Sequence, residues 1–205
     1  MSSGHLTGGR SGGSLRVEFR RQVRERVLEA AHRHTVERGW ERVRVGEVAV
    51  DSGVSRPTLY REFGNKDGLG EALMVREADR FFAAISAVLD EEHADSGAAI
   101  GAAARLTLDE AESNPLLHAV LTGSRVGDAG LLPFLTTRSD TIRETGRVLI
   151  GDWLSAHEPS LDVAVVDETV DAVVRLTISH LVAPSLPSDE VGERMARLVR
   201  RSASP

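Results

Sequence analysis

The side chains best suited to specific chemistry lie in one short stretch, between Ser55 and Arg61. Arg56 can grip the edge of a guanine at two points, because a guanidinium presents its N–H donors as a planar fork. Ser55 can offer its hydroxyl or its backbone N–H to a phosphate, and Pro57 can contact a thymine methyl group. Arg61 can reach a base or a phosphate. This stretch therefore predicts contact with nucleic acid.

These side chains require a helix whose first turn enters a groove, and the surrounding sequence predicts one. Residues 45–54 (VGEVAVDSGV) have the pattern of a short helix followed by a turn, with Gly53 where the chain must reverse. Residues 55–63 (SRPTLYREF) then predict a second helix, in which Leu59 and Phe63 are spaced to face inward. Two short helices joined by a glycine turn are typical of a helix-turn-helix, whose second helix lies in the DNA major groove.

The same stretch resembles the DNA-binding end of the TetR-type bacterial repressors, of the actinobacterial kind. The signature of that family runs from a Gly-aromatic pair through Ala-x-x-x-Gly-Val-Ser to Thr-Leu-Tyr-x-x-Phe and Asn-Lys-Asp/Glu. One departure is Val45, where the family commonly has a threonine or serine that caps the second helix, so the capping of that helix stays open. The matched positions are Gly39, Trp40, Ala49, Gly53, Val54, Ser55, Thr58, Leu59, Tyr60, Phe63, Asn65, Lys66 and Asp67.

The resemblance implies further DNA contacts in this chain. Thr58 and Tyr60 match the family's phosphate contacts, and Arg44 stands where family members often touch a phosphate. Lys66 matches the family's lysine just before the fourth helix. There its charge and the N-terminal dipole of that helix would act on the same phosphate.

Several of these side chains also have a purely structural interpretation. Ser55 can cap the third helix, and Tyr60 can belong to the core. Arg61 can pair with Glu62 or Glu41 instead of with DNA. The arginines at the start of the first helix can reach the minor groove or the DNA backbone, or can simply solvate that helix: Arg16, Arg20, Arg21 and Arg24.

The charge distribution supports a DNA-binding end despite a net charge of −6. Residues 10–66 hold 13 basic and 8 acidic side chains, whereas residues 67–205 hold 12 basic and 23 acidic ones. Affinity for DNA depends on local neutralisation of phosphates, not on the total charge. The 205 residues include no cysteine, which excludes disulfides and thiol chemistry, and no apolar run of membrane-spanning length. We therefore expect a cytoplasmic protein without a membrane partner.

The rest of the chain predicts helices and no strand, because apolar residues recur at helical spacing between proline and glycine breaks. The expected fold class is all-α: an N-terminal three-helix bundle with the helix-turn-helix, then a larger helical domain. We expect a flexible tail at 1–14, a DNA-binding domain at 15–66 and a helical body at 67–205. Asp67 is expected at the N-cap or in the first turn of the fourth helix. The predicted helices are 15–38, 45–52, 56–63, 67–92, 96–113, 115–122, 131–157, 161–182 and 188–201.

In the family that the chain resembles, the C-terminal body dimerises through its last helices. Helices 161–182 and 188–201 are both amphipathic here, so two from each subunit could form a four-helix interface. The alternative is that their apolar stripes pack only within one subunit. These stripes include Val166, Val170, Val173, Val174, Ile178, Leu181, Val191, Met195 and Leu198.

The resemblance also implies a cavity in the body for a small molecule. Most of the candidate lining residues are apolar, which favours a lipophilic ligand, although each could instead be plain core. Residues 114–137 resemble the bodies of some actinobacterial regulators of lipid or alkane metabolism. The candidates for ligand binding are Phe82, Leu117, His118, Leu121, Phe134, Trp153, Arg175 and His180.

The histidines do not form a catalytic or metal-binding pattern. His32 and His34 are two residues apart, so on a helix they point to different sides and cannot chelate one ion together. His118 and His180 lie among apolar residues, where a hydrogen-bonded core or pocket histidine is the simpler interpretation. No nucleophile with a positioned base is evident. We therefore expect no enzyme activity, no metal and no cofactor.

Together these features predict a homodimeric transcriptional regulator that binds a palindromic double-stranded DNA operator. By the resemblance it is a repressor released by a small lipophilic inducer. One alternative is a helical lipid-binding module without DNA binding, which loss of the phosphate-contacting residues would have favoured. A small helical hydrolase would need a nucleophile–base pair that the sequence lacks.

Overall fold

The computed structural model describes residues 11–122 and 132–203, apart from the side chains of residues 11–13, 15 and 132–140. Every regular element in these ranges is a helix, which confirms the predicted all-α class. No helix in this part of the chain is both long and apolar enough to cross a membrane. The α-helices are α1 (Ser11–Arg38), α2 (Val45–Asp51), α3 (Arg56–Phe63), α4 (Lys66–Leu89), α5 (Ser96–Ser113), α6 (Pro115–Thr122), α7 (Leu132–His157), α8 (Val163–Val182) and α9 (Ser188–Ser202).

The helix boundaries follow the sequence closely. Helices α3 and α5 begin and end where the sequence predicts, and α6 begins where it predicts. Helix α1 begins at Ser11, inside the segment predicted as a tail, and residues 1–10 of that segment lie outside the described residues. Helix α4 begins one residue early, because the Asn65 side chain caps it: Oδ1 of Asn65 accepts a hydrogen bond from the Gly68 N–H at 2.8 Å. Asp67 is therefore a first-turn carboxylate and not the cap.

The chain divides into two compact units after Leu73, inside helix α4. The sequence predicts this boundary seven residues earlier, between residues 66 and 67. The difference arises because Leu69 and Leu73, on the first turns of α4, are fully buried and belong to the N-terminal unit. We call residues 11–73 the N-terminal unit and the described residues from 74 to 203 the C-terminal unit.

The N-terminal unit contains the predicted helix-turn-helix. Between α2 and α3 the chain reverses at Gly53, whose φ of +68° lies in the left-handed region that favours glycine. The turn is closed by a hydrogen bond of 3.0 Å from the Val54 N–H to the Ala49 carbonyl. Leu59 and Phe63 of α3 are buried, as their spacing predicts, so the opposite face of α3 is left to solvent.

The C-terminal unit has an apolar core to which all of its helices contribute. Helices α5 and α9 approach so closely that their crossing requires glycine. A Cβ at Gly101 would lie 2.5 Å from the Gly192 carbonyl oxygen, and a Cβ at Gly192 would lie 2.7 Å from the Gly101 carbonyl oxygen. This crossing uses the apolar side of α9 within the chain.

Asp95 links the same two helices at the start of α5. Its Oδ1 accepts from the Ala98 N–H at 2.8 Å, and its Oδ2 accepts from Arg200 Nε at 2.9 Å. The hydrogen bond from Arg200, followed by those from the backbone, lowers the pKa of Asp95 below its usual value. The carboxylate thus serves as an N-cap and as the acceptor for α9.

Replacing Asp95 with alanine should lower the free energy of unfolding by about 1 kcal/mol near neutral pH, mainly through loss of the cap. Because the pKa is lowered in the folded state, this contribution is present above the unfolded-state pKa and is lost as pH falls through the folded pKa. The gap between wild type and Asp95→Ala in thermal unfolding should therefore shrink below about pH 4. Asp95→Asn keeps a capping oxygen, so its free energy of unfolding should fall less than that of Asp95→Ala. A gap that persists unchanged into strong acid would contradict this assignment.

Candidate nucleic-acid interface and apolar cavity

The start of α3 is built by its N-cap, Ser55. The Ser55 Oγ accepts from the Thr58 N–H at 3.3 Å and lies 2.9 Å from the Thr58 Oγ1. Pro57 stands in the first turn, where its missing N–H costs nothing. The capping interpretation of Ser55 is confirmed, and Ser55 also remains exposed to solvent.

The predicted DNA-contacting side chains of α3 share its solvent face. Arg56, Pro57 and Arg61 are exposed, and Tyr60 is 48% exposed and so is not a core residue. Thr58 is half-buried beside the cap. This face carries two guanidinium groups and a phenol on a helix whose other face is anchored in the core. Such a surface can bind phosphates and base edges.

Arg44 and Lys66 flank the helix-turn-helix in different ways. Arg44 is the N-cap residue of α2 without a capping side-chain bond, and 82% of its side chain is exposed. Lys66 is the first residue of α4; its Nζ donates to the Glu41 carbonyl at 3.0 Å and lies 5.3 Å from the centroid of the Trp40 ring. Lys66 therefore contacts the segment between α1 and α2, and its phosphate contact stays a prediction.

Two arginines of α1 hold α3 through one carboxylate. Glu62 accepts from Arg20 Nε at 2.7 Å and from Arg24 Nη1 at 3.4 Å, and the Arg24 guanidinium stacks 5.0 Å from the Phe63 ring centroid. This arrangement orients the recognition helix. It gives Arg20 and Arg24 a role that neither sequence interpretation contained, because a pairing across about forty positions leaves no local signal.

His34 makes a second link that the sequence analysis did not identify. Its ring is 3% exposed; Nε2 lies 2.5 Å from Asp51 Oδ2, at the end of α2, and Nδ1 lies 3.9 Å from Glu47 Oε2. The signal was available, since His34 follows the buried Val27 and Ala31 at helical spacing. His34 thereby ties α1 to α2.

The C-terminal unit contains a partly open apolar cavity between α4, α5, α6, α7 and α8. It has about 570 Å³ of empty space, including the part open to solvent. Among the described residues, its polar lining side chains are few: Thr107 and Thr177 donate to carbonyls of their own helices, and Arg143 is exposed. The other described lining residues are Phe81, Phe82, Ile85, Ile100, Ala103, Ala104, Leu121, Ile142, Gly146, Ile150, Val173, Val174 and Ile178.

The cavity takes in two of the eight predicted ligand-binding residues, Phe82 and Leu121. Leu117 is buried in the core beside it without lining it, and the side chain of Phe134 lies outside the described residues.

The other four predicted residues have local partners. His118 Nε2 donates to the Leu181 carbonyl at 3.2 Å, and His180 Nδ1 lies 3.5 Å from Ser185 Oγ. Trp153 stacks on His157 with ring centroids 4.0 Å apart, and the exposed Arg175 pairs with Asp171 at 2.7 Å. None of these four lines the cavity. Among the described residues, no group of three or more His, Asp or Glu side chains could hold a metal ion.

The apolar stripes of α8 and α9, which the sequence predicts at a dimer interface, pack mainly within the chain. Most of their members are buried in the core of the same chain, and pairing of α8 and α9 between subunits stays a prediction. A second stripe of α8 is more open: Leu176 is 43% exposed, and Val165 and Ala172 on the same helical face are partly exposed.

A helix-turn-helix followed by a helical unit with an apolar cavity is the architecture of a class of transcriptional regulators. Two family models match the chain: residues 27–73 match the model described as bacterial regulatory proteins, tetR family, and residues 95–201 match the bacterial tetracyclin repressor, C-terminal domain. The chain therefore belongs to the TetR family of transcriptional regulators.

Individual relatives agree with this family. The HTH-type transcriptional regulator AlkX of Mycobacterium tuberculosis is 30% identical over 182 residues, which is 86% of this chain and 83% of that protein. The crystal structure of the TetR family repressor AlkX from Dietzia sp. strain DQ12-45-1b, implicated in biodegradation of n-alkanes, has a TM-score of 0.62 at 22% identity over 88% of this chain and 94% of its own. The fatty acid degradation regulator FadR from Bacillus halodurans has a TM-score of 0.57 at 15% identity over 86% and 93%.

Proposed function

We propose that this protein is a cytoplasmic, homodimeric transcriptional repressor that leaves a palindromic operator when a small lipophilic ligand fills the cavity of the C-terminal unit. The main support for operator binding is the solvent face of α3. There Arg56, Tyr60 and Arg61 project from a helix that Leu59 and Phe63 anchor in the core. Contacts to bases would come from the first turn and contacts to phosphates from its flanks.

The lipophilic ligand is supported by the chemistry of the cavity lining. Nearly all of the described lining side chains are apolar, and the two threonine hydroxyls donate to their own helices. A ligand with many polar groups would leave them unpaired there, so an acyl chain or alkane fits best. The Dietzia relative is a repressor implicated in n-alkane biodegradation, and the Bacillus relative regulates fatty acid degradation, which favours the same ligand class and repression.

Helix α4 is the element through which we expect the ligand to act. It begins with Lys66 in the N-terminal unit and carries Phe81, Phe82 and Ile85, which line the cavity. We expect α4 to adopt two positions. A ligand shifts the balance between them only by its difference in affinity for the two. If DNA and ligand prefer different positions, each weakens binding of the other by the same factor.

The DNA contacts predict a steep dependence of operator affinity on salt. With an operator selected from random duplexes, the logarithm of affinity should fall linearly with the logarithm of salt concentration. Arg44→Ala removes an 82% exposed cation beside α2. It should reduce the slope by about one and weaken binding to all sequences alike.

Arg197→Ala on α9 is the control, because it removes the same charge from an exposed side chain outside the DNA-binding surface. It should leave the slope unchanged. Salt-independent binding, or failure to select any duplex, would contradict the proposed function. Apolar ligand binding without any duplex binding would instead favour the helical lipid-binding module.

A further inference from the structure

The guanidinium group of Arg56 lies against the first turn of α2, at Gly46. A Cβ at position 46 would lie 2.8 Å from Cζ and 2.9 Å from Nε of Arg56, and closer still to Nη2. These distances are shorter than real Cβ contacts, so any residue other than glycine would move the guanidinium. The Arg56 guanidinium therefore packs on α2 in a space that exists only because position 46 has no side chain. We call this space the seat.

The seat concerns the side chain best placed to read a base. Arg56 is the first residue of α3, and the first turn of a recognition helix contacts base edges. A guanidinium discriminates a guanine only when two of its N–H donors meet the base edge together, so the direction of its approach decides which base pair it reads. A long, flexible side chain would otherwise sample several directions.

We propose that Gly46 is a specificity-determining residue: by seating the Arg56 guanidinium on α2, it selects the base pair that Arg56 reads. This inference rests on the proposed DNA-binding function and adds a residue that contacts no DNA itself. Gly46 acts through Arg56 and is thus a positioning residue.

Alanine at position 46 should disturb the seat without disturbing the fold. The atoms in conflict belong to the far end of a flexible, exposed side chain, which can move at little cost. Alanine also favours helix over glycine by about 1 kcal/mol, so α2 should not be weakened. A change in DNA recognition by Gly46→Ala would therefore report on Arg56.

The test is a double-mutant cycle with selection from random duplexes. Arg56→Ala should lower affinity for the best wild-type operator by roughly 5- to 150-fold and relax the preference at one base pair in each half-site. Gly46→Ala should change the preference at that same base pair and lose part or all of that affinity. Added to Arg56→Ala, it should have no further effect.

Val50→Ala is the matched control on α2, because Val50 is 75% exposed and plays no part in the seat. It should leave the selected sequence unchanged, and thermal unfolding should show that all variants fold. An unchanged selected sequence for Gly46→Ala would overturn the inference, as would an equal effect of Gly46→Ala with and without Arg56. If wild type selects no sequence, the proposed function itself fails, and the inference with it.

Discussion

Gly146→Leu should give a protein that binds its operator normally and no longer responds to ligand. Gly146 lines the cavity, and a Cβ there would lie 3.7 Å from Phe82 Cε1, which is ordinary van der Waals contact. The backbone can therefore accept the change, and leucine favours helix over glycine by about 1 kcal/mol. The added isobutyl group then occupies space that an apolar ligand would need.

The measurement is operator affinity with and without a ten-carbon alkane or fatty acid as probe. Saturating probe should lower wild-type affinity by roughly 5- to 150-fold, the usual range of allosteric coupling, and should not lower that of Gly146→Leu. Gly151→Leu makes the same change in α7 where a Cβ meets nothing within 4 Å, and it should respond like wild type. Release of Gly146→Leu by the same probe would show that the ligand binds elsewhere. Equal probe binding with and without operator would show that the cavity is not coupled to DNA.

The helix-turn-helix could be predicted because its determinants are local. Gly53 marks the reversal, Ser55 caps α3, and the spacing of Leu59 and Phe63 identifies the inner face. Each of these signals lies within a few residues of the feature it specifies. The same locality accounts for α5, which ends where Asn114 and Pro115 interrupt the helical pattern.

The residues that line the cavity could not be predicted one by one. Hydrophobicity indicates that a side chain is buried, but not whether it faces the packed core or a cavity. Leu117 and Leu121 are both buried and one turn apart, yet the cavity takes in Leu121 and leaves Leu117 in the core. Gly146 and Thr107, which line it, have no apolar signal at all. A void forms where several helices fail to close on one another, and that is a tertiary property.

The ambiguity of α8 has the same origin. An amphipathic pattern shows that a helix has an apolar face, but not whether the partner belongs to the same chain. Here Val170 and Val173 pack in the chain's own core, while Leu176 is left 43% exposed. Exposure in the folded chain thus separates core residues from candidates for a subunit interface.

Leu176→Glu should convert the proposed dimer to a monomer and remove most operator binding. In a two-fold interface each copy contributes the same patch, so one substitution places two carboxylates in an apolar contact. A monomer can hold one half-site at a time. In a dimer, binding of one half-site raises the effective concentration of the second N-terminal unit at the other half-site. A monomer lacks this gain in affinity, so affinity for the full palindrome should fall by about 10²- to 10⁴-fold. Sedimentation analysis and operator titration on the same samples measure both effects.

Val163→Glu is the matched control on the same helix. Val163 is 74% exposed at the first residue of α8, about 140° around the helix from Leu176, and a carboxylate in the first turn suits the helix dipole. This variant should stay dimeric and bind its operator like wild type. If Leu176→Glu also stays dimeric, the interface does not use this stripe of α8. If it becomes monomeric but keeps full operator affinity, then one N-terminal unit suffices for recognition, and the palindromic two-site mechanism is wrong.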